Sequence, residues 1–184
     1  SSSTTSAEIL TRAMRAAAAL LQSQRQMTVS REQLKALVQV VEDEVGVGKR
    51  HVVALQLLHA VISRKLLSPE VYDVMDKVRV AAIRDARPST RTRSSRLLLR
   101  FLTTYPMEDR RLRGHLDFFL RNLEYPTIQG RLAALQALLA LVTRLPSATL
   151  TTHSSRILLP LLVRLVQDPS LECRAAASAV LRAL

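Results

Sequence analysis

The residues of this chain with the widest chemical repertoire are four histidines and one cysteine, and their spacing assembles no familiar centre. His51, His59, His115 and His153 are scattered over three helical regions, the first two eight residues apart and only loosely on one face, with no carboxylate or thiol at metal-ligand spacing, so each is expected at a core edge or on the surface. Cys173 stands beside Arg174, a neighbour that would depress a thiol pKa, yet no histidine sits at a defined spacing to complete a nucleophilic pair. A buried structural thiol is expected instead. Gly46 and Gly48 form Gly-x-Gly without a preceding strand or a third glycine, which falls short of a phosphate loop. Ser154 and Ser155 lack the Gly-x-Ser-x-Gly surroundings of a nucleophile elbow. Asp73 and Asp76, three residues apart on an amphipathic stretch, read as a solvated face. No catalytic, cofactor-binding or metal-binding residue is assigned, and no cofactor or small-molecule substrate is expected.

Charge is the one unusual quantity. Lys and Arg number 27 against 15 Asp and Glu, a net +12, and all but four of the basic residues are Arg. A guanidinium forms bidentate bonds with phosphate or carboxylate and stacks on bases, so an Arg-dominated surface suits RNA or an acidic partner. The densest part is Arg84, Arg87, Arg91, Arg93, Arg96 and Arg100, followed by Arg110, Arg111 and Arg113. These nine are the candidate contacts. Only 3% of residues are aromatic, and most of those fall on apolar stripes, so base-stacking platforms are not evident.

The elements that must carry these arginines are helical. Four glycines and seven prolines leave little for hairpin turns, and no stretch alternates apolar and polar residues as a strand would. A chain that is 48% hydrophobic can bury a core, and arginines interrupt every apolar run before it reaches the roughly 18 residues of a membrane span. A soluble all-α chain follows. The single cysteine suits a reducing compartment. Residues 109–145 organise the rest: Leu112, Leu116, Phe119, Leu120 and Leu123 form one helical stripe, and Leu132, Leu135, Leu139 and Val142 a second after a short link.

Elsewhere the same period recurs. Thr5 with Glu8, and Ser30 with Gln33, have the capping-box form; Ile9, Ala13, Ala16 and Leu20 are expected on the buried face of the first helix. The acidic run Glu42 to Glu44 is read as a solvated helix end, with Gly46 and Gly48 as a break behind it. Ser68-Pro69 and Asp168-Pro169 are expected to start helices, Pro88 to close one, and Pro160 to lie near the first turns of another that carries Leu158, Leu161, Leu162 and Leu165 inward. Ala175, Ala179 and Leu181 are the expected packing positions of the last helix. Arg50, Arg93, Arg131 and Arg174 each follow a break, at separations of 43, 38 and 43 residues. Helix pairs at such a period are the signature of HEAT or armadillo-type arrays. The expected architecture is a HEAT/armadillo-like α-solenoid of antiparallel helix pairs, one continuous piece over 1–184 with approximate repeats 5–45, 48–86, 89–124, 126–167 and an incomplete 168–184. The chain opens on Ser1 and stops at Leu184 inside a helical pattern, so a fragment of a longer chain is expected.

Three segments carry a resemblance: SRKLLSPEVYDVMDKV (63–78), FLTTYP (101–106), and HLDFFLRNLEY followed by GRLAAL (115–135). Over roughly residues 50–145 they resemble the C-terminal region of the giant HEAT-repeat subunit of the small-subunit processome, the U-three protein twenty or "down-regulated in metastasis" family. The resemblance implies a nucleolar, non-catalytic scaffold that supports processing of small-subunit precursor rRNA. Its implied partners are other ribosome-assembly proteins and precursor rRNA or small nucleolar RNA, without membrane. Two other readings remain open from the residues: a generic HEAT adaptor whose partners are proteins only, and a helical flank of a larger enzyme.

Overall fold

Capping and proline placement decide most helix boundaries in the computed structural model, which describes residues 2–24, 26–45 and 50–184, with the backbone alone for 2–5. Among the described residues there are nine α-helices, one 3₁₀ turn and no strand. They are α1 (Ser2–Ser23), α2 (Arg31–Glu44), α3 (His51–Ser63), α4 (Pro69–Arg84), α5 (Pro88–Thr104), α6 (Asp109–Arg121), the 3₁₀ turn Asn122–Glu124, α7 (Ile128–Val142), α8 (Ser147–Gln167) and α9 (Leu171–Ala183). Among the described residues no helix is long and apolar enough to cross a membrane.

The caps act as their residue types dictate. Ser30 accepts from the Gln33 N–H at 3.2 Å while Gln33 Oε1 accepts from the Ser30 N–H at 2.9 Å, a complete capping box. Ser68 accepts from the Val71 N–H, with Pro69 at the first helical position. Three boundaries differ from expectation. Pro88 opens α5 instead of closing α4, because a proline at the first helical position forfeits no hydrogen bond. α9 is capped by Ser170, which accepts from the Cys173 N–H at 3.3 Å, while Asp168 ends α8. α1 begins at Ser2, so Thr5 lies within the helix; its side chain, like the break at Gly46 and Gly48, falls outside the described residues.

The chain divides into two units, Ser1–Phe101 and Leu102–Leu184. In the first, α1 and α2 pack on α3, and α2 also packs on α4. α3 is accordingly apolar nearly all round, with Val53, Ala54, Leu57, Leu58 and Val61 buried. The Tyr72 and Phe101 rings meet edge to face at 5.5 Å, joining α4 to α5. In the second unit α6 packs on α7 and α8, and α9 on α7 and α8. Within each unit this packing thus runs between helices that are neighbours or next but one in the chain. Phe119 and Tyr105 are fully enclosed, and burying an aromatic of that size stabilises by roughly 1.5–3 kcal/mol.

The buried faces agree with the sequence periodicity on α5, where Leu97, Leu98, Phe101 and Leu102 are enclosed, and on α2 for Leu34, Val38 and Val41, while Leu37, expected on the same face, is half-buried. Elsewhere they differ. α1 buries Met14, Ala18 and Leu21, leaving Ile9 62% and Leu20 51% exposed. α9 buries Cys173, Ala177 and Val180 in place of Ala175, Ala179 and Leu181. On α8 only Leu161 of the expected four is buried, and Leu158, Leu159, Leu162 and Val166 form an exposed apolar stripe. Pro160 lies in the middle of α8, not in its first turns.

One device recurs at the turns. Arg91 donates to the Asp85 carbonyl at 2.8 Å, Arg131 to the Tyr125 carbonyl at 3.0 Å and Arg174 to the Asp168 carbonyl at 2.7 Å. In each case the arginine reaches back six residues and satisfies a carbonyl that the turn would otherwise leave exposed. Arg50 reaches back six residues as well, but to the Glu44 carboxylate, with Nε at 3.0 Å. The repeat register is therefore Arg50, Arg91, Arg131 and Arg174, at separations of 41, 40 and 43. Arg93 is not its second member. Glu44 is buried by this pairing, which corrects the reading of the whole acidic run as solvated.

Candidate functional site

Of the nine candidate arginines, the fold brings Arg93, Arg96 and Arg100 together. Steps of three and four residues put all three on one stripe of α5, and Leu97 lies between them. Across from them α3 presents Val52, Leu55, Gln56 and His59, also one stripe. Between the two stripes runs a groove of about 420 Å³, with Gln22 from the end of α1 closing one side. It adjoins a second hollow of about 750 Å³ that shares Gln22, His59 and Arg100 and adds Ser63 and Arg64. Among the described residues no carboxylate lines either one. Leu55 and Leu97 are buried and form the floor, while Arg93, Arg96, Arg100, Gln22 and Gln56 stand exposed at the rim.

Electrostatics follow from that lining. His59 has its pKa lowered, first by partial desolvation between the helices and then by the positive charge of Arg100. Both effects favour the neutral imidazole. Ser63 Oγ, which donates to the His59 carbonyl at 2.7 Å, lies 3.5 Å from its Nδ1. Among the described residues, neither Arg93 nor Arg96 meets a carboxylate.

The remaining candidates are differently placed. Arg87 is drawn to Asp85 through Nε at 3.0 Å and Nη2 at 2.8 Å, and its Nη1 lies 3.3 Å from His51 Nδ1. Asp85 is held below the usual carboxylate range chiefly by that Arg87 bond. Arg91 is committed to turn carbonyls. Arg84 is exposed at the end of α4. Arg110, Arg111 and Arg113 lie on the first turns of α6, in the other unit, where Arg113 pairs with Asp109. Sequence reasoning missed Gln22, Gln56, His59 and Arg64, although the helical spacing of Gln56 with His59 on α3 was there to be read.

The chemistry-bearing residues outside the groove are engaged in packing. His153 is buried with Nε2 3.3 Å from Asp109 Oδ1, His115 stacks on Phe119 at 6.0 Å, and Cys173 is fully enclosed. The most elaborate polar cluster is also internal. Arg131 binds both oxygens of Asp168, Nε at 2.8 Å and Nη2 at 3.0 Å, and the Ser170 N–H donates to the same carboxylate at 2.9 Å. Among the described residues no three His, Cys, Asp or Glu side chains converge as metal ligands would.

No family model matches the chain. Over 138 residues, 75% of its length, it is 30% identical to the U3 small nucleolar RNA-associated protein 20 of Schizosaccharomyces pombe. Over 132 residues, 72% of its length, it is 29% identical to the protein of the same name from Saccharomyces cerevisiae. It spans about 6% and 5% of the lengths of these two curated relatives. The similarity is longer than the segment 50–145 in which the motifs lie, and it ties an all-helical, arginine-rich chain to a known lineage: the chain resembles a region of U3 small nucleolar RNA-associated protein 20.

Proposed function

We propose that this chain is a non-catalytic HEAT-like scaffold in small ribosomal subunit biogenesis. It supports processing of small-subunit precursor rRNA in the nucleolus, within the small-subunit processome. The observation that carries this reading is the 138-residue similarity to a protein named for its association with the U3 small nucleolar RNA. Two features of the fold support the solenoid part of it. Within each unit helices pack on those next or next but one in the chain, and an arginine closes successive turns at intervals near 40 residues, as stacked helix pairs require. The non-catalytic part is supported by the occupation of His115, His153 and Cys173 in packing. Arg84, Arg93, Arg96, Arg100, Arg110 and Arg111 supply the basic surface for assembly proteins and RNA, while Arg87, Arg91 and Arg113 are engaged by groups of the chain itself.

Depletion of the protein in cells tests the reading. Unprocessed small-subunit precursor rRNA should accumulate and free small subunits should fall, while large-subunit rRNA is made normally. Intact precursor processing after depletion overturns it in favour of an adaptor that binds proteins alone.

A further inference from the structure

The groove between α3 and α5 has chemistry that narrows its occupant. Arg93, Arg96 and Arg100 stand about 4.5 Å and 6 Å apart along the helix axis, from a rise of about 1.5 Å per residue. That is a ladder of fixed positive charges, each with a planar fork suited to a phosphate. The wall opposite offers amide and imidazole groups, from Gln56 and His59, with Gln22 at one side. Among the described residues no carboxylate interrupts the lining.

A protein partner would need an apolar anchor at the centre of the contact, since interface cores are depleted of charge and rich in aromatic and aliphatic side chains. Here the apolar residues Leu55 and Leu97 are buried as floor and offer no such socket. Arg93, Arg96 and Arg100 lie along a single line on α5, the arrangement that follows one phosphate backbone. Base stacking is absent as well: Phe101, Tyr105, Phe118 and Phe119 are buried, and Tyr72 and Tyr125 are half-buried. The ligand is gripped by its backbone and not by its bases.

We infer that the α3/α5 groove is a binding track for single-stranded RNA, in which Arg93, Arg96 and Arg100 bind successive backbone phosphates without regard to sequence. The choice of RNA as the polyanion rests on the role proposed above; the phosphate ladder does not.

Fluorescence anisotropy with the 184-residue chain and a labelled twelve-nucleotide oligouridine tests it over a salt series. Three phosphate contacts give a slope of log affinity against log salt of about −2, from about −0.7 per contact on a single strand. Arg93→Gln with Arg96→Gln should flatten the slope to about −0.7 and weaken binding about tenfold at low salt, with an unchanged circular dichroism melt. A charge-matched control, Arg15→Gln with Arg121→Gln, should leave slope and affinity within about twofold. Equal weakening by the control, or no change in the groove variant, overturns the inference. So does equal competition by a double-stranded RNA of the same length, or tighter binding of the matched DNA strand. Displacement of the RNA by decaglutamate at equal concentration transfers the groove to an acidic polypeptide. The scaffold reading fails separately: normal precursor processing in depleted cells removes it while leaving the slope measured on the purified chain intact.

Discussion

Asp168 shows how much one side chain can hold. It is 1% exposed, takes both guanidinium arms of Arg131 and receives the Ser170 N–H. Asp168→Asn would leave Arg131 buried beside a neutral amide, and breaking a buried pair from one side costs on the order of 3–5 kcal/mol. Urea denaturation at pH 7 should show a loss of about 3 kcal/mol; a loss below 1 kcal/mol would mean the pair carries little. The pH dependence has a definite sign. Burial favours the neutral acid, but the bonds from Arg131 and Ser170 outweigh it and hold the carboxyl below its ordinary 3.8. A folded-state pKa lowered in this way contributes its full stability above 3.8, and that contribution disappears as the pH falls through the lower folded value. Acidification from pH 5 to below about pH 3 should therefore lower the melting temperature of the parent more than that of Asp168→Asn. The sequence placed Asp168 before a proline and suggested a cap; its partner lies 37 residues upstream and no local pattern announces it. Gly130 is a second such case. A Cβ there would stand 2.3 Å from the Tyr125 ring, so Gly130→Ala should destabilise by about 1–3 kcal/mol. In a double-mutant cycle with Tyr125→Ala most of that loss should vanish; strictly additive effects would show that the ring is not the obstacle.

At the scale of the element, α8 offers the clearest test. Pro160 sits in the interior of a 21-residue helix, where its ring opposes the Arg156 carbonyl and a helical hydrogen bond is missing. Pro160→Ala should raise the melting temperature, gaining up to about 3 kcal/mol of stability; a lower melting temperature would show that the proline ring is needed where it packs. The same element explains what the sequence could and could not reveal. On α2 and α5 polar residues flank a single apolar stripe, so the buried face was legible. On α8 leucines occupy several faces, and on α1 and α9 alanines do, so periodicity alone selected the wrong phase: Ile9 and Leu20 are exposed while Met14 and Ala18 are enclosed. The arginines of α5 were visible as a run. Their convergence with His59 and Gln56 depends on which stripe of α3 lies opposite, which only tertiary packing decides. Arg93 and Arg91 are two residues apart and so lie on nearly opposite sides of α5, which is why one serves the groove and the other the turn.

For the molecule as a whole, lineage was legible in motifs such as Ser68-Pro69-Glu70-Val71-Tyr72 and Gly130-Arg131, whose structural roles as cap, ring contact and turn closure explain their form. The apolar stripe on α8 has a physical consequence of its own. Leu158, Leu159, Leu162 and Val166 face solvent on a chain that carries a net charge of +12. At low ionic strength mutual repulsion keeps copies apart; at 1 M salt the screening length falls to about 3 Å and the leucines are free to meet. Sedimentation of the purified chain should therefore show reversible association that strengthens as salt is added, and Leu159→Glu with Val166→Lys should abolish it. Raising salt then draws the chain to itself, so the conditions that screen its charge are those in which the free chain becomes colloidally unstable.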